Sequence, residues 1–436
     1  MLRRLTIRDF VLVDRLELEF GMGFGTLTGE TGAGKSILVD ALAFALGERA
    51  DAGLIRNGSE RAEVTAEFDL AGSETAASWL REHDLEADEG LLLRRVLDGN
   101  LRAARNAGLE PASLDTWYSA IVQALERNAS WCDQRGTDGF IRRGHGDLHL
   151  GNLCLWQGRP VPFDALEFDE DLATIDLGYD LAFLLMDLEH SVGRPAANRV
   201  LNRYIARTGD VGLLQGLPLF LSSRALIRAH VEATHGHAAP SQAYLAAAIA
   251  YLQPAVPLIV AIGGLQGTGK STLARALAPD LGPAPGALIP RSDEIRKRQF
   301  GVMPEAKLPP RAYASAAGKR VFAELTRQAE TAARAGHAVV ADATFISPDH
   351  RDALRGAATA AGVPFLGLWL EAPLDILAAR IAGRSDDASD ATVAVLEATA
   401  RSPNARAGDW IAIPAHDRDT ALAAARKAVM STLAMC

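Results

Sequence analysis

Cysteine is scarce in this 436-residue chain: Cys132, Cys154 and Cys436 stand apart, with no C-x-x-C pair. Neither a disulfide framework nor a thiolate zinc site is suggested, and a reducing cytosol is the default expectation. Long apolar runs are missing too. The most apolar window, Tyr244 to Leu265, is broken by Gln253, Pro254 and Pro257, whereas a membrane span needs about 20 continuous apolar residues; the window reads as a helix end, a linker and a buried strand. Asp9, Asp14, Glu17 and Glu19 fall where a signal peptide needs an apolar stretch, so a cytoplasmic protein without a membrane partner is expected. A positive field is also lacking, because 45 basic against 54 acidic side chains give a net charge of −9. DNA contact would then need a local basic patch or a partner chain, and Arg3, Arg4 and Arg8 are the only compact basic group near the start. No repeat with a period of roughly 20–50 residues and no low-complexity tail is found.

What is present is an ordinary globular composition, 48% hydrophobic and 23% charged, long enough for about three domains at roughly 150 residues each. Residues 2–8 and 11–20 alternate apolar and polar side chains, which predicts paired antiparallel strands. A short strand, Gly25 to Thr28, leads into Gly29-Glu30-Thr31-Gly32-Ala33-Gly34-Lys35-Ser36, and Ile37, Leu38, Ala41, Leu42 and Leu46 follow at helical spacing. Val64, Ala66 and Phe68 alternate again. Leu91 to Val96 reads as a strand, after which the pattern dissolves around 100–112 and a boundary is placed. A helix over Leu114 to Glu126, a loop, and a helix-rich stretch from Leu177 to Leu252 come next. The run from Pro257 to Ile262 opens into Gly264-Leu265-Gln266-Gly267-Thr268-Gly269-Lys270-Ser271, followed by a helix from Thr272 to Leu277. Later strands at Ala338 to Ala341 and Pro364 to Leu370 alternate with helices, the βαβ rhythm of a parallel sheet. The expected domains are 1–105, 106–253 and 254–436.

The pattern G-x-x-x-x-G-K-[ST] thus occurs twice, each time between a strand and a helix. Such a loop wraps backbone N–H groups around polyphosphate at a helix N-terminus. Gly29, Gly32, Gly34, Lys35 and Ser36 in the first copy, and Gly264, Gly267, Gly269, Lys270, Ser271 and Thr272 in the second, are the candidate ATP ligands, with Ser36 and Ser271 on Mg²⁺. The segment from His145 to Asn152, HGDLHLGN, sets an Asp five residues before an Asn, as a kinase-type catalytic loop needs for a proton acceptor and a metal ligand. His235 and His237 have no third ligand nearby and are expected as surface residues; Trp117, Tyr118 and Trp131 are expected in the core.

Three resemblances rest on these stretches. Residues 1 to about 100 resemble the head of the RecN-type DNA-repair ATPases, through LRRLTIRDFVLVD, LTGETGAGKSILVDALAFALGERAD and RNGSERAEVTAEF. That family continues into a coiled coil, a serine-glycine-glycine signature and a second acid, none of which is visible in this sequence. The loop HGDLHLGN resembles that of the aminoglycoside phosphotransferases, which implies Asp147 as base and Asn152 and Asp164 as metal ligands, with Asp176 and Asp180 as structural acids. The smaller lobe of that fold is not recognised. Residues 257–436 resemble P-loop small-molecule kinases, the C-terminal half of bifunctional aminoglycoside phosphotransferase/ATP-binding proteins, through GGLQGTGKSTLARAL, IPRSDEIRKRQFG, AVVADATF and LAARIAGRSDDASDAT. There Asp293 would accept the substrate proton, Asp342 would reach Mg²⁺, Arg296 would hold the acceptor, and Arg380 and Arg384 would screen the transferred phosphoryl group.

The implied fold class is α/β, with P-loop folds at both ends, the first truncated, flanking a helical kinase-like lobe. The implied function is ATP-dependent phosphotransfer to a hydroxyl-bearing small molecule at the C-terminal site. A RecN-type repair ATPase acting through Lys35 is the alternative, and a fusion without coherent activity is the second. DNA is expected as a partner only if the RecN-like head works in an assembly.

Overall fold

The computed structural model describes residues 2–20, 37, 38, 41, 42, 45, 55, 56, 62–68, 89–166, 173–383 and 389–434. The chain divides into two compact units, Met1–Ala87 and Asp88–Cys436. In the first, β1 (Leu2–Phe10) lies between β2 (Val13–Glu19) and β3 (Glu63–Phe68), antiparallel to both. Leu5 and Ile7 alternate with Arg4, Thr6 and Arg8, so one face is apolar; with Phe10 they are buried against Ala41, next to Ile37, Leu38 and Leu42 of the expected helix. The strand expected at 25–28 and the first glycine loop, with Gly29, Gly32, Gly34, Lys35 and Ser36, lie outside the described residues.

The second unit opens with two helices, α1 (Glu89–Asn106) and α2 (Pro111–Thr137). The strand expected at Leu91 to Val96 is therefore helix. A short apolar run does not by itself separate strand from helix, and Leu97, Leu101 and Ala104 recur at helical spacing, all buried. This helix ends at Asn106, next to the boundary expected near residue 105, and belongs to the second compact unit. Helix α2 begins on Pro111, with the Glu110 carboxylate accepting from the Ala112 and Ser113 N–H groups, and continues through the loop expected after Glu126. Trp117 is fully buried and donates its indole N–H to Ser222 Oγ at 3.0 Å.

Short strands β4 (Ile141–Arg143), β5 (Leu153–Trp156), β6 (Arg159–Pro162) and β7 (Thr174–Asp176) pair as β4·β7 and β5·β6. Helices α3 (Leu177–Ser191), α4 (Arg194–Thr208), α5 (Leu217–Thr234) and α6 (Ala238–Ala250) complete the helical part. Arg135 of α2 is buried between Asp176 and Asp210, hydrogen-bonded to both. Each member of this trio would be costly to bury alone.

The remainder is a parallel sheet. Strand β8 (Ile259–Gly264) is followed by α7 (Lys270–Leu277), α8 (Ser292–Gln299), α9 (Ser315–Arg334), β9 (Val339–Asp342), α10 (Pro348–Ala361), β10 (Phe365–Glu371), α11 (Leu374–Ala382), α12 (Val393–Ala400), β11 (Ile411–Pro414) and α13 (Arg418–Leu433). The order is β11-β10-β8-β9, all parallel. An edge segment pairs outside β9 through Leu288 with Val339 and Arg291 with Asp342. Both faces of β8 are buried: Ile259 and Ala261 join the core shared with the helical part, whereas Val260 and Ile262 pack with α7 and α13. Continuous apolar strands of this kind are what two-sided burial demands. Among the described residues no helix is long and apolar enough to cross a membrane.

Candidate active site

The second glycine loop leaves the C-terminal end of the central strand β8, where the chain order reverses between its neighbours β9 and β10. Parallel sheets place ligand crevices at such points. Two glycines have specific work there. Gly264 (φ +136°) lies where a Cβ would come within 2.7 Å of Leu370 O, and Gly267 (φ +86°) where one would come within 2.8 Å of Leu377 O. Gly269 is the N-cap of α7, so Lys270, Ser271 and Thr272 form that helix's first turn. The Lys270 ammonium bridges the loop, donating to Gly264 O at 3.0 Å and Leu265 O at 2.8 Å.

Asp342 ends β9 and is buried, with Arg291 Nε 3.3 Å from its Oδ2. Asp293 stands in the first turn of α8. Burial pushes its carboxyl up, and nearby Asp342 adds to this, while Arg291, Lys270 and Arg296 pull it down. One cavity of about 480 Å³ is lined by Gly267, Gly269, Lys270, Ser271 and Thr272 on one side and Asp293, Arg296 and Asp342 on the other. Five of the six sequence-expected residues of the second P-loop therefore converge with both acids, and Gly264 does not line the cavity.

Several lining residues carry no signal in the sequence alone. Arg275 and Arg291 supply further positive charge, and Tyr313 lies under the Arg296 guanidinium, 5.0 Å from ring centroid to Cζ. Arg296 also donates to Ala312 O at 2.7 Å. Asp390 is a hub, accepting from Lys297 Nζ at 2.9 and 3.0 Å, Tyr313 OH at 2.6 Å and Leu308 N–H at 3.1 Å. Burial alone would raise its pKa, but the bonds from Tyr313 and Lys297 hold it below the usual carboxylate value. The signal for Asp390 is its place at the end of SDDASD, but nothing local distinguishes it from Asp386 or Asp387. Those two, and Arg384, lie outside the described residues.

Arg380 does not line this cavity. It donates to Ala415 O at 2.9 Å and His416 O at 2.8 Å, and faces a second cavity of about 240 Å³ behind the loop, with Gly267, Thr272 and Asp417. These two carbonyls after β11 hold the guanidinium beside Gly267, Gly269 and Thr272 of the glycine loop.

The helical part holds the other expected constellation. Asn152 is buried and donates to Asp147 O at 2.9 Å and Oδ2 at 3.1 Å. Asp180 of α3 accepts from the N–H groups of His145 (2.7 Å) and Gly146 (3.2 Å), and Asp187 from Leu150 (2.8 Å). His145 Nε2 meets Phe163 O at 2.9 Å and Leu166 N–H donates to His145 O, which brings exposed Asp164 (φ +61°) to the segment beside the loop. No residue of 145–152 lines either cavity described above. His237 pairs with Glu232, and both His235 and His237 are exposed.

Residues 259–403 match a protein-family model described as an AAA domain, and residues 4–106 match a second model with the same description. An uncharacterized protein of Mycobacterium tuberculosis (strain ATCC 25618 / H37Rv), Rv2004c, is 30% identical over 427 residues, covering 93% of this chain and 83% of that protein. The DNA repair protein RecN of Xylella fastidiosa (strain Temecula1 / ATCC 700964) is 50% identical over 128 residues, 29% of this chain and 23% of that protein. Among solved structures, a gluconokinase from Sinorhizobium meliloti 1021 aligns with a TM-score of 0.27 and 20% identity, covering 41% of this chain and 97% of that one.

Proposed function

The chain belongs to one family with the uncharacterized mycobacterial protein Rv2004c, and from that premise we propose that it is an ATP-dependent phosphotransferase acting at the second P-loop on a hydroxyl-bearing small molecule. The convergence of Lys270, Ser271, Asp293 and Asp342 on one cavity of about 480 Å³ carries this reading. Lys270 sits across the glycine loop, where phosphate oxygens would replace the two carbonyls it now contacts. Asp293, its carboxyl raised by burial, takes the proton of the acceptor hydroxyl. That oxygen then bonds to the γ-phosphorus as the bond to the bridging oxygen of ADP breaks. Arg296, fixed by Ala312 O and the Tyr313 ring, orients the acceptor.

Asp342, buried at the end of β9 with Arg291 Nε 3.3 Å from its Oδ2, would exchange that ion pair for Mg²⁺, held together with Ser271. The ion would neutralise charge on the phosphate oxygens when bound. The test is phosphoryl transfer from Mg·ATP by the purified full chain across a panel of hydroxylated small molecules. Activity that survives Lys270→Ala would exclude the second P-loop.

The identity with RecN over 128 residues, with the family match over residues 4–106, favours a second reading, a DNA-repair ATPase working through Lys35. Turnover stimulated by duplex DNA and lost in Lys35→Ala would select it. A cytoplasmic setting and an aminoglycoside-phosphotransferase-like ancestry for the helical part belong to the first reading.

A further inference from the structure

The sheet that carries the P-loop is finished by the helical part. The edge segment 287–290 is bonded to β9 on its inner side, through Leu288 N–H to Ala338 O (2.9 Å), Val340 N–H to Leu288 O (2.8 Å) and Asp342 N–H to Pro290 O (3.0 Å). On its outer side the alternate residues, Ala287 and Ile289, face helix α4. There Asn202 Oδ1 accepts from Ile289 N–H at 2.6 Å, and Asn202 and Asn198 both donate through Nδ2 to Ala287 O, at 3.1 and 3.0 Å. A side-chain amide offers the same donor and acceptor as a peptide group, so these asparagines stand where another strand would pair. The same helix also touches α8 and the chain just beyond it. Arg298 of α8 donates to Ile205 O and Ala206 O at the end of α4, Arg203 forms a close ion pair with Glu305, and Arg207 donates to Met303 Sδ at 3.3 Å.

We propose that α4 is a working component of the P-loop site, with Asn202 a positioning residue that holds the edge segment delivering Arg291 to Asp342 and starting the helix of Asp293. The proposal rests on the phosphotransferase reading. Nucleotide-side residues stand on β8 and α7, while the acceptor-side residues Arg291, Asp293 and Arg296 stand on chain that α4 holds. Loss of the Asn202 amide therefore separates two measurable quantities. Displacement of a reacting group by about 1 Å costs on the order of 10²-fold in rate, whereas the glycine loop is left as it was.

The experiment uses the full chain, with Mg·ATP and water as acceptor for phosphate release and Mg·ADP for binding. In Asn202→Ala the turnover per folded molecule should fall about 10- to 100-fold, with Mg·ADP affinity within about twofold of wild type and faster hydrogen exchange at the Ile289 amide. Asn198→Ala should keep turnover within about threefold, because Asn202 still satisfies Ala287 O. If Asn202→Ala does not fold, Asn202→Ser, too short to reach Ile289 N–H, replaces it under the same criteria. Turnover within twofold of wild type, or nucleotide affinity falling in parallel with turnover, overturns the proposal. Lys270→Ala separates the two failures: if it abolishes turnover while Asn202→Ala does not, only this inference falls, and if it leaves turnover intact the P-loop reading itself fails.

Discussion

Two loops in the second unit have sequences that read as phosphotransfer motifs, and they differ in what surrounds them. The loop at 264–271 rises from the middle of a parallel sheet, is shaped by Gly264 and Gly267, which no larger residue replaces without collision, and opens on a cavity lined by acids from two other elements. The loop at 145–152 is equally well made, with Asp147, Asn152, Asp180 and Asp187 tied into hydrogen bonds within the helical part. It lines neither of the cavities at the glycine loop. Internal geometry thus does not by itself place a motif on the cavity at the glycine loop. Catalysis needs groups from separate elements aimed at one point.

The sharpest way to break this contrast is Lys270→Ala, expected to lower phosphate release roughly 10³-fold, or ~4 kcal/mol, by removing a preorganised charge from the phosphate path. Asp293→Ala should come next at roughly 10²–10³-fold with Mg·ADP affinity nearly unchanged, read by turnover and titration calorimetry. A third measurement probes a buried group where the helical part meets the sheet. His337 is completely buried, and burial pulls its pKa to about 4, with Arg194 adding slightly and the Leu214 backbone opposing. In the unfolded chain it titrates near ~6.5, so its neutral form favours folding above that pH, and about 3 kcal/mol is lost as pH falls from ~6.5 to 4. Urea unfolding across that range should show the loss, and His337→Gln should flatten it.

Smaller still is Asp180→Ala, expected to cost about 2 kcal/mol of stability by stranding the His145 and Gly146 N–H groups, with turnover per folded molecule unchanged. The smallest effect belongs to Asp147→Ala, for which ATP turnover should stay within about twofold. A loss of aminoglycoside phosphorylation in that variant, with Asp293→Ala still active, would reverse the ranking of the two loops.

The second P-loop is legible in the sequence because its chemistry is local: glycine spacing, a strand before it and a helix after it lie within one stretch of chain. Asp342 and Asp293 are legible from the motif context around them. Arg291 and Asp390 are not, since their roles arise only when the edge segment meets β9 and when the segment before α12 reaches Lys297. The partners of Arg380 are likewise not legible, because helical spacing fixes the direction of a side chain on its own helix and says nothing about the carbonyls of Ala415 and His416. The strand read at Leu91 to Val96 fails where the apolar run is too short to reveal its period, which Leu97, Leu101 and Ala104 supply.

The two asparagines on α4 also bear on how the protein can be cut. A fragment starting at residue 254 would keep every strand of the parallel sheet, yet the Ile289 N–H and Ala287 C=O would face water in a row beside the open side of β9. Exposed edges of this kind recruit strands from other molecules. The isolated kinase-like half is therefore expected to self-associate, and the helical part serves it as a solubilising cover.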